Sequence, residues 1–117
     1  MCMTTQELKE RTFEFGIRVV RAVESLPRSD VAREIGRQLL RAGTSVGANY
    51  RAASRADFVA KLGIVEEECD EAAYWTEVII ALKLLRPSLL AKLQVEAGEL
   101  LAIIVASIKT ARRAPRS

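Results

Sequence analysis

Residues 38–78 read QLLRAGTSVGANYRAASRADFVAKLGIVEEECDEAAYWTEV, and the two halves of this stretch dictate a helix pair. The first half is unusually rich in Gly, Ala and Ser. A tight link at Ala53-Ser54 follows, and then a long amphipathic segment. In that segment Phe58, Leu62, Val65, Cys69, Ala72, Thr76 and Ile79 recur at alternating spacings of four and three. Such a pattern is the seam of a helix packed lengthwise on a neighbour. A second stripe runs beside it through Ile64, Glu68, Glu71, Trp75, Val78, Leu82 and Leu85. Ser54-Arg-Ala-Asp57 fits a capping box, with Asp where Glu or Gln is usual, and predicts the helix start there.

The small-residue half belongs to a helix that begins upstream, capped by Ser29 with Asp30 near the positive end of its dipole. It holds Gly36, Gly43 and Gly47, each costing about 1 kcal/mol relative to alanine inside a helix. Spacings of seven and four set all three on one face. Close approach of another backbone is therefore expected rather than a break near Gly43. Leu39, Val46 and Tyr50 supply the bulky part of that helix's buried surface.

Further out, a first helix is predicted from a Thr5 N-cap to Leu26. Leu8, Phe15, Val19, Ala22 and Leu26 share its apolar face, and Phe13, Ile17 and Val20 widen it. Pro27 stops it, because the ring cannot continue the hydrogen-bond ladder. Downstream, Arg86-Pro87-Ser88 reads as a turn with Ser88 as cap. The last helix then carries Leu89, Leu93, Ala97, Leu100, Ile104 and Ile108, broadened by Leu90, Leu101, Ile103 and Val105. Four helices joined by short turns predict an all-α, up-down-up-down antiparallel four-helix bundle. The expected extent is one domain over 1–117, with a basic frayed tail at about 112–117. Apolar stripes wider than one bundle needs predict a homo-oligomer.

Half of the 117 residues are hydrophobic, yet aromatics are only 5%, which suits Leu/Ile/Val/Ala helices better than a β-sandwich. No apolar run reaches the ~18 residues that would span a bilayer. The polar opening MCMTTQELKER argues against a signal peptide. Cys2 and Cys69 are too few for a disulfide framework. Free thiols and a cytoplasmic home are the expectation.

The chain has no histidine, and that bears on every catalytic reading. Glu66, Glu67, Glu68, Asp70 and Glu71 could hold metals in a bundle, but such sites also use a Glu-x-x-His motif. Cys69 lacks the usual base that would make it a nucleophile. No enzyme activity, metal or cofactor is expected. Glu67, Asp70 and Glu71 read as a solvated face, or as partners for arginines on a neighbouring helix or subunit. Asn49 reads as a satisfied amide pinning helix register, and Trp75 as a core or interface anchor.

Charge is segregated, with net values of +4 over residues 1–62, −5 over 63–99 and +4 over 100–117. Arg33, Arg37 and Arg41 recur every four residues as one basic ridge; Lys109, Arg112, Arg113 and Arg116 form a second cluster. Repeated around an oligomer, such patches would make a phosphate-binding surface. Two readings stay open. One is a nucleic-acid-binding accessory protein contacting RNA or DNA through Arg33, Arg37, Arg41, Arg112 and Arg113. The other is an assembly scaffold whose partner is protein.

The pattern Gln38-Leu39, Arg41, Ala42, Ser45, Asn49, followed by Ser54 to Phe58, resembles the four-helix-bundle family of 23S rRNA-intervening-sequence proteins. Those proteins are encoded within large-subunit ribosomal RNA genes. Glu68, Glu71, Tyr74 and Trp75 are similar to an E-x-x-E-x-x-Y-W pattern of some members. Many relatives carry Asn-Ile-Ala-Glu-Gly where this chain has Asn49-Tyr-Arg-Ala-Ala53, so no role of that glutamate carries over. The resemblance implies an antiparallel bundle assembling as a ring, typically a homopentamer, without known catalysis. Gln38, Ser45, Asn49, Phe58, Glu71 and Trp75 are the motif positions it singles out. A related branch, the accessory variability determinants of diversity-generating retroelements, engages nucleic acid, and this is the analogy behind the first reading.

Overall fold

Four helices make up the computed structural model, which describes residues 3–53 and 56–113. They are α1 (Thr5–Glu24), α2 (Asp30–Ala52), α3 (Phe58–Ala81) and α4 (Pro87–Arg113). No strand occurs among the described residues, so the chain is all-α there. None of these helices is long and apolar enough to cross a membrane. Each helix packs on two neighbours, in the cyclic order α1, α2, α3, α4 and back to α1. The α1–α4 seam is the least extensive of the four.

Local chemistry explains most boundaries. The α1 cap is Thr4 rather than Thr5; its hydroxyl accepts from the Glu7 amide at 3.1 Å. The helix ends at Glu24, two residues before the expected Leu26, which lets the chain turn ahead of Pro27. Ser29 caps α2 as expected, accepting from the Ala32 amide at 3.1 Å. Ser54 lies outside the described residues, and α3 starts at Phe58 behind Asp57, later than a Ser54 cap would give. Proline takes the first position of α4, where its missing N–H costs nothing, so Ser88 is inside the helix and not its cap. α4 continues through Arg113, so Arg112 and Arg113 are helical where fraying was expected. Arg116 lies outside the described residues.

The α3–α4 turn is a Schellman motif. Lys83 has φ 55°, and its amide donates to the Ile80 carbonyl at 3.0 Å. The Leu84 amide donates to the Ile79 carbonyl at 3.1 Å. This pairing satisfies carbonyls that a helix end would otherwise orphan.

Leu62, Val65, Cys69, Ala72, Thr76 and Ile79 are all buried in one continuous core, with Phe58 packed at its edge. α4 corrects one expectation: Leu90 is buried and Leu89 is exposed. Leu93 has Leu89 four residues back and Leu90 three back, so helical spacing suits either, and packing against the neighbours chose. On α1, Thr12 joins the core and donates its hydroxyl to the Leu8 carbonyl at 2.8 Å, which satisfies the buried polar group.

The glycines of α2 are close-packing positions. A Cβ on Gly43 would lie 2.5 Å from Val19 Cγ2, and one on Gly47 would lie 3.1 Å from the Thr12 carbonyl oxygen. On Gly36 it would lie 2.8 Å from Leu26 Cδ1. Late α2 thus lies against early α1, and early α2 against late α1. α2 runs unbroken past Gly43.

Candidate functional site

Of the three arginines on the α2 ridge, each has an acid of its own chain. Arg33 pairs with Asp30 at 3.5 Å, and Arg37 with Glu34 at 2.9 Å, both one turn away on an exposed helix face. Arg41 reaches across to α3, meeting Glu68 at 3.1 Å and Glu71 at 2.7 Å. The ridge therefore exists as a line of residues, but its charge is largely neutralised. Arg41 holds the Glu71 carboxyl below the ordinary carboxylate range, chiefly through that hydrogen bond. Glu71 in turn keeps the Arg41 guanidinium protonated more firmly than usual.

This pairing sorts the acidic run. Glu68 and Glu71 face α2, whereas Glu67 and Asp70 stand in solvent on another side of α3. Expectation named Glu67 among the arginine partners; Glu68 takes that place, because it lies on the α2-facing stripe with Glu71 and Trp75. The Trp75 indole donates to Glu71 at 3.4 Å and packs, half-buried, at the core edge. Tyr74 meets it edge-on, with ring centroids 5.0 Å apart.

The remaining motif positions mostly bond within their own helix. Gln38 donates to Glu34 at 3.1 Å, the Ser45 hydroxyl to the Arg41 carbonyl at 2.6 Å, and the Asn49 amide to the Ser45 carbonyl at 2.9 Å. Asn49 is satisfied, but it does not tie α2 to another helix through this bond, and register rests on the glycine contacts instead. Cys69 is fully buried and donates to the Ala97 carbonyl at 3.3 Å. Burial, with Asp70 and Glu96 adding to it, pushes its thiol up to about 12. Such a thiol is inert at neutral pH.

Arg112 and Arg113 close α4, far from the ridge. Arg11 lies level with Glu96 and Glu99, and Cys69 with Ala97, so the end of α4 extends past the start of α1. Arg33 and Arg37 instead sit by the end of α1, with Gly36 against Leu26 and Val23. At about 1.5 Å per residue, the two basic clusters are ~40 Å apart. They do not form one surface on a single chain.

Two features escaped sequence reasoning, and a third was legible only in part. Arg11 clamps α1 to α4, with Nε to Glu96 Oε1 at 2.7 Å, Nη2 to Glu96 Oε2 at 3.0 Å, and a further short contact to Glu99. Above it on the same seam lies a cleft of about 280 Å³, floored by Ala22, Leu85, Leu89 and Leu93 and rimmed by Arg18, Arg21 and Lys92. Among the described residues none of these three cations has an ion-pair partner. The third is a groove of about 810 Å³ between α1 and α2, where Phe13 is 62% exposed and Ile17 39%, opposite Thr44 and Ala48. Phe13 and Ile17 were legible as excess apolar surface; the seam contacts join residues 85 positions apart and carry no local signal.

Comparison with known proteins gives a consistent answer. The family described as 23S rRNA-intervening sequence protein matches residues 4–106. A crystal structure of a protein of unknown function from the S23 ribosomal protein family of Bacteroides thetaiotaomicron VPI-5482 is similar, with a TM-score of 0.82 and 32% identity. The match covers 92% of this chain and 99% of that one. No curated protein matches the chain.

Proposed function

Because the chain belongs to the 23S rRNA-intervening sequence protein family, we propose that it is a non-enzymatic, self-assembling scaffold: an up-down-up-down antiparallel bundle whose copies close into a cytoplasmic ring. One observation carries this reading. After the core is complete, large apolar side chains remain exposed on more than one side of the bundle: Phe13 on α1, Tyr74 on α3, Leu89 and Val95 on α4. A single chain buries none of them, while contacts with two neighbours would cover several. The homopentamer is the ring size that the resemblance implies. Sedimentation equilibrium across nanomolar to micromolar concentrations tests the reading. It expects a reversible rise to one discrete mass, and a folded monomer throughout would overturn it.

Nucleic-acid binding is the second reading, and its better candidates are the cations at the end of α4. With Arg33, Arg37 and Arg41 paired to acids, Lys109, Arg112 and Arg113 at the end of α4 are the better phosphate candidates of the two basic clusters. Among the described residues these three have no ion-pair partner. A ring would gather that cluster once per subunit on one rim. Gel-shift titration of duplex DNA at two salt concentrations tests it. Affinity should fall with log K slope of about −0.9 per phosphate neutralised, and the slope should flatten in Arg112→Gln/Arg113→Gln. Binding that ignores both salt and these arginines would refute it.

A further inference from the structure

We infer that neighbouring copies meet by docking the acidic outer face of α3 and α4 on one chain into the basic α1–α4 cleft of the next. The inference rests on the self-assembly reading above and specifies its interface. The acidic face carries Glu67, Asp70 and Glu77 around Tyr74, and residues 63–77 hold no cation. It points away from Glu68 and Glu71, which meet α2. The cleft presents Arg18, Arg21 and Lys92 around an apolar floor that includes the exposed Leu89. Three cations without an ion-pair partner among the described residues, around an apolar floor, thus match three acids around an aromatic knob. Tyr74 is more than half exposed, and buried tyrosines rimmed by charge are frequent anchors of such contacts.

Two glycines supply an independent argument. Gly36, Gly43 and Gly47 are explained by neighbours inside the chain, but a Cβ on Gly63 or Gly98 would meet nothing within 4 Å. Both sit inside helices, where glycine is unfavourable by about 1 kcal/mol, and among the described residues no intrachain contact accounts for either. Helical spacing sets Gly63 with Glu67, Asp70 and Tyr74 on the outward side of α3. It sets Gly98 with Ala91, Val95 and Ala102 on the outward side of α4, away from Glu96 and Glu99, which meet α1. A second copy approaching this flat face is the occupant that would use the space.

Geometry then favours closure. A ring without rise needs its two complementary patches at one height along the bundle. Counting about 1.5 Å per residue from the Cys69–Ala97 and Arg11–Glu96 ties, Tyr74 and Glu77 lie within ~5 Å of the height of Arg18 and Lys92, with Asp70 and Glu67 ~6 and ~10 Å below Lys92, so the upper half of the acidic face is the part that meets the cleft. The two faces also share the α4 corner, so they stand roughly at right angles, and successive copies turn back on themselves. The α1–α2 groove lies on the opposite side from the acidic face; pairing those two would string copies in a line.

Charge reversal in two variants tests the pairing by sedimentation and native mass. The first is Arg18→Glu/Arg21→Glu, and the second Glu67→Lys/Asp70→Lys/Glu77→Lys. All five side chains are solvent-exposed, and circular dichroism should show parental helix content. Each variant alone should be monomeric where the parent assembles, and mixing them should restore a complex containing both chains. Tyr74→Ala should weaken assembly about 100-fold or more. A parent that assembles while either variant still does so equally well overturns the interface and leaves the assembly reading intact. Monomeric variants whose mixture stays monomeric overturn the pairing. A parent that is monomeric at every concentration overturns both.

Discussion

Gly43→Ala is the most informative single substitution for the fold. Its new Cβ would lie 2.5, 2.7 and 2.9 Å from Cγ2, Cγ1 and Cβ of Val19. Ordinary contact begins near 3.4 Å, so the site lacks most of an ångström. Val19 cannot turn away, because it is fully buried and one of the clashing atoms is its own Cβ. α1 and α2 must therefore part locally and lose contact on both sides of the site. Overpacking of this kind costs about 1–3 kcal/mol, and the alanine returns about 1 kcal/mol of helix propensity. With no flexible neighbour to absorb the strain, a net loss of about 1–2 kcal/mol is expected, and a larger one for leucine. Urea unfolding at fixed protein concentration measures it, and an unchanged m-value would mark a simple loss of stability. Val19→Ala should be destabilising alone yet partly rescue Gly43→Ala, giving a coupling energy in the double-mutant cycle. If Gly43→Ala equals or exceeds the parent in stability, helix propensity dominates and the close α1–α2 approach is refuted.

Other outcomes follow from single sites. Lys83→Gly should raise stability by about 1 kcal/mol, because glycine adopts the positive φ of that turn without a Cβ penalty; an unchanged urea midpoint would count against the Schellman geometry. In a Cys2→Ser background, Cys69 should resist a thiol reagent at pH 8 until the chain unfolds. Its proton is held more tightly in the folded state, so its contribution to stability should be flat below about pH 9 and be lost as pH rises towards about 12. Glu71 shows the opposite sign. Its depressed pKa contributes stability above the ordinary carboxylate range that is lost as pH falls through the folded value. Arg41→Gln should move the Glu71 titration upward by carboxyl NMR, and no movement would mean the pair does not persist in solution.

How much of this was readable in advance depends on the range of the interaction. Ser29 caps the helix that follows it through a bond to a residue three positions on, and Pro27 lies just past the end of α1, whose hydrogen-bond ladder its ring cannot continue. The α3 seam is periodicity alone, which is why Leu62 through Ile79 fell where expected. Helix propensity, capping and amphipathic spacing all act within about four residues, so the order of neighbouring residues carries them. The excess apolar surface of Phe13 and Ile17 was visible for the same reason.

The candidate site was another matter. Three arginines four residues apart looked alike in sequence, yet Arg41 meets Glu68 and Glu71 on α3 while Arg33 and Arg37 take acids on their own helix. Leu89 and Leu90 were interchangeable until α4 had neighbours. Gly43 and Gly98 were equally unfavourable helix residues; one is pressed against Val19 and the other faces open space. Sequence by itself determined four amphipathic helices and their excess apolar surface, because those depend on nearest turns. Tertiary structure alone decided which charges are cancelled and which glycines are filled. Those outcomes are set by side chains tens of residues away, brought within a few ångströms only when the helices pack.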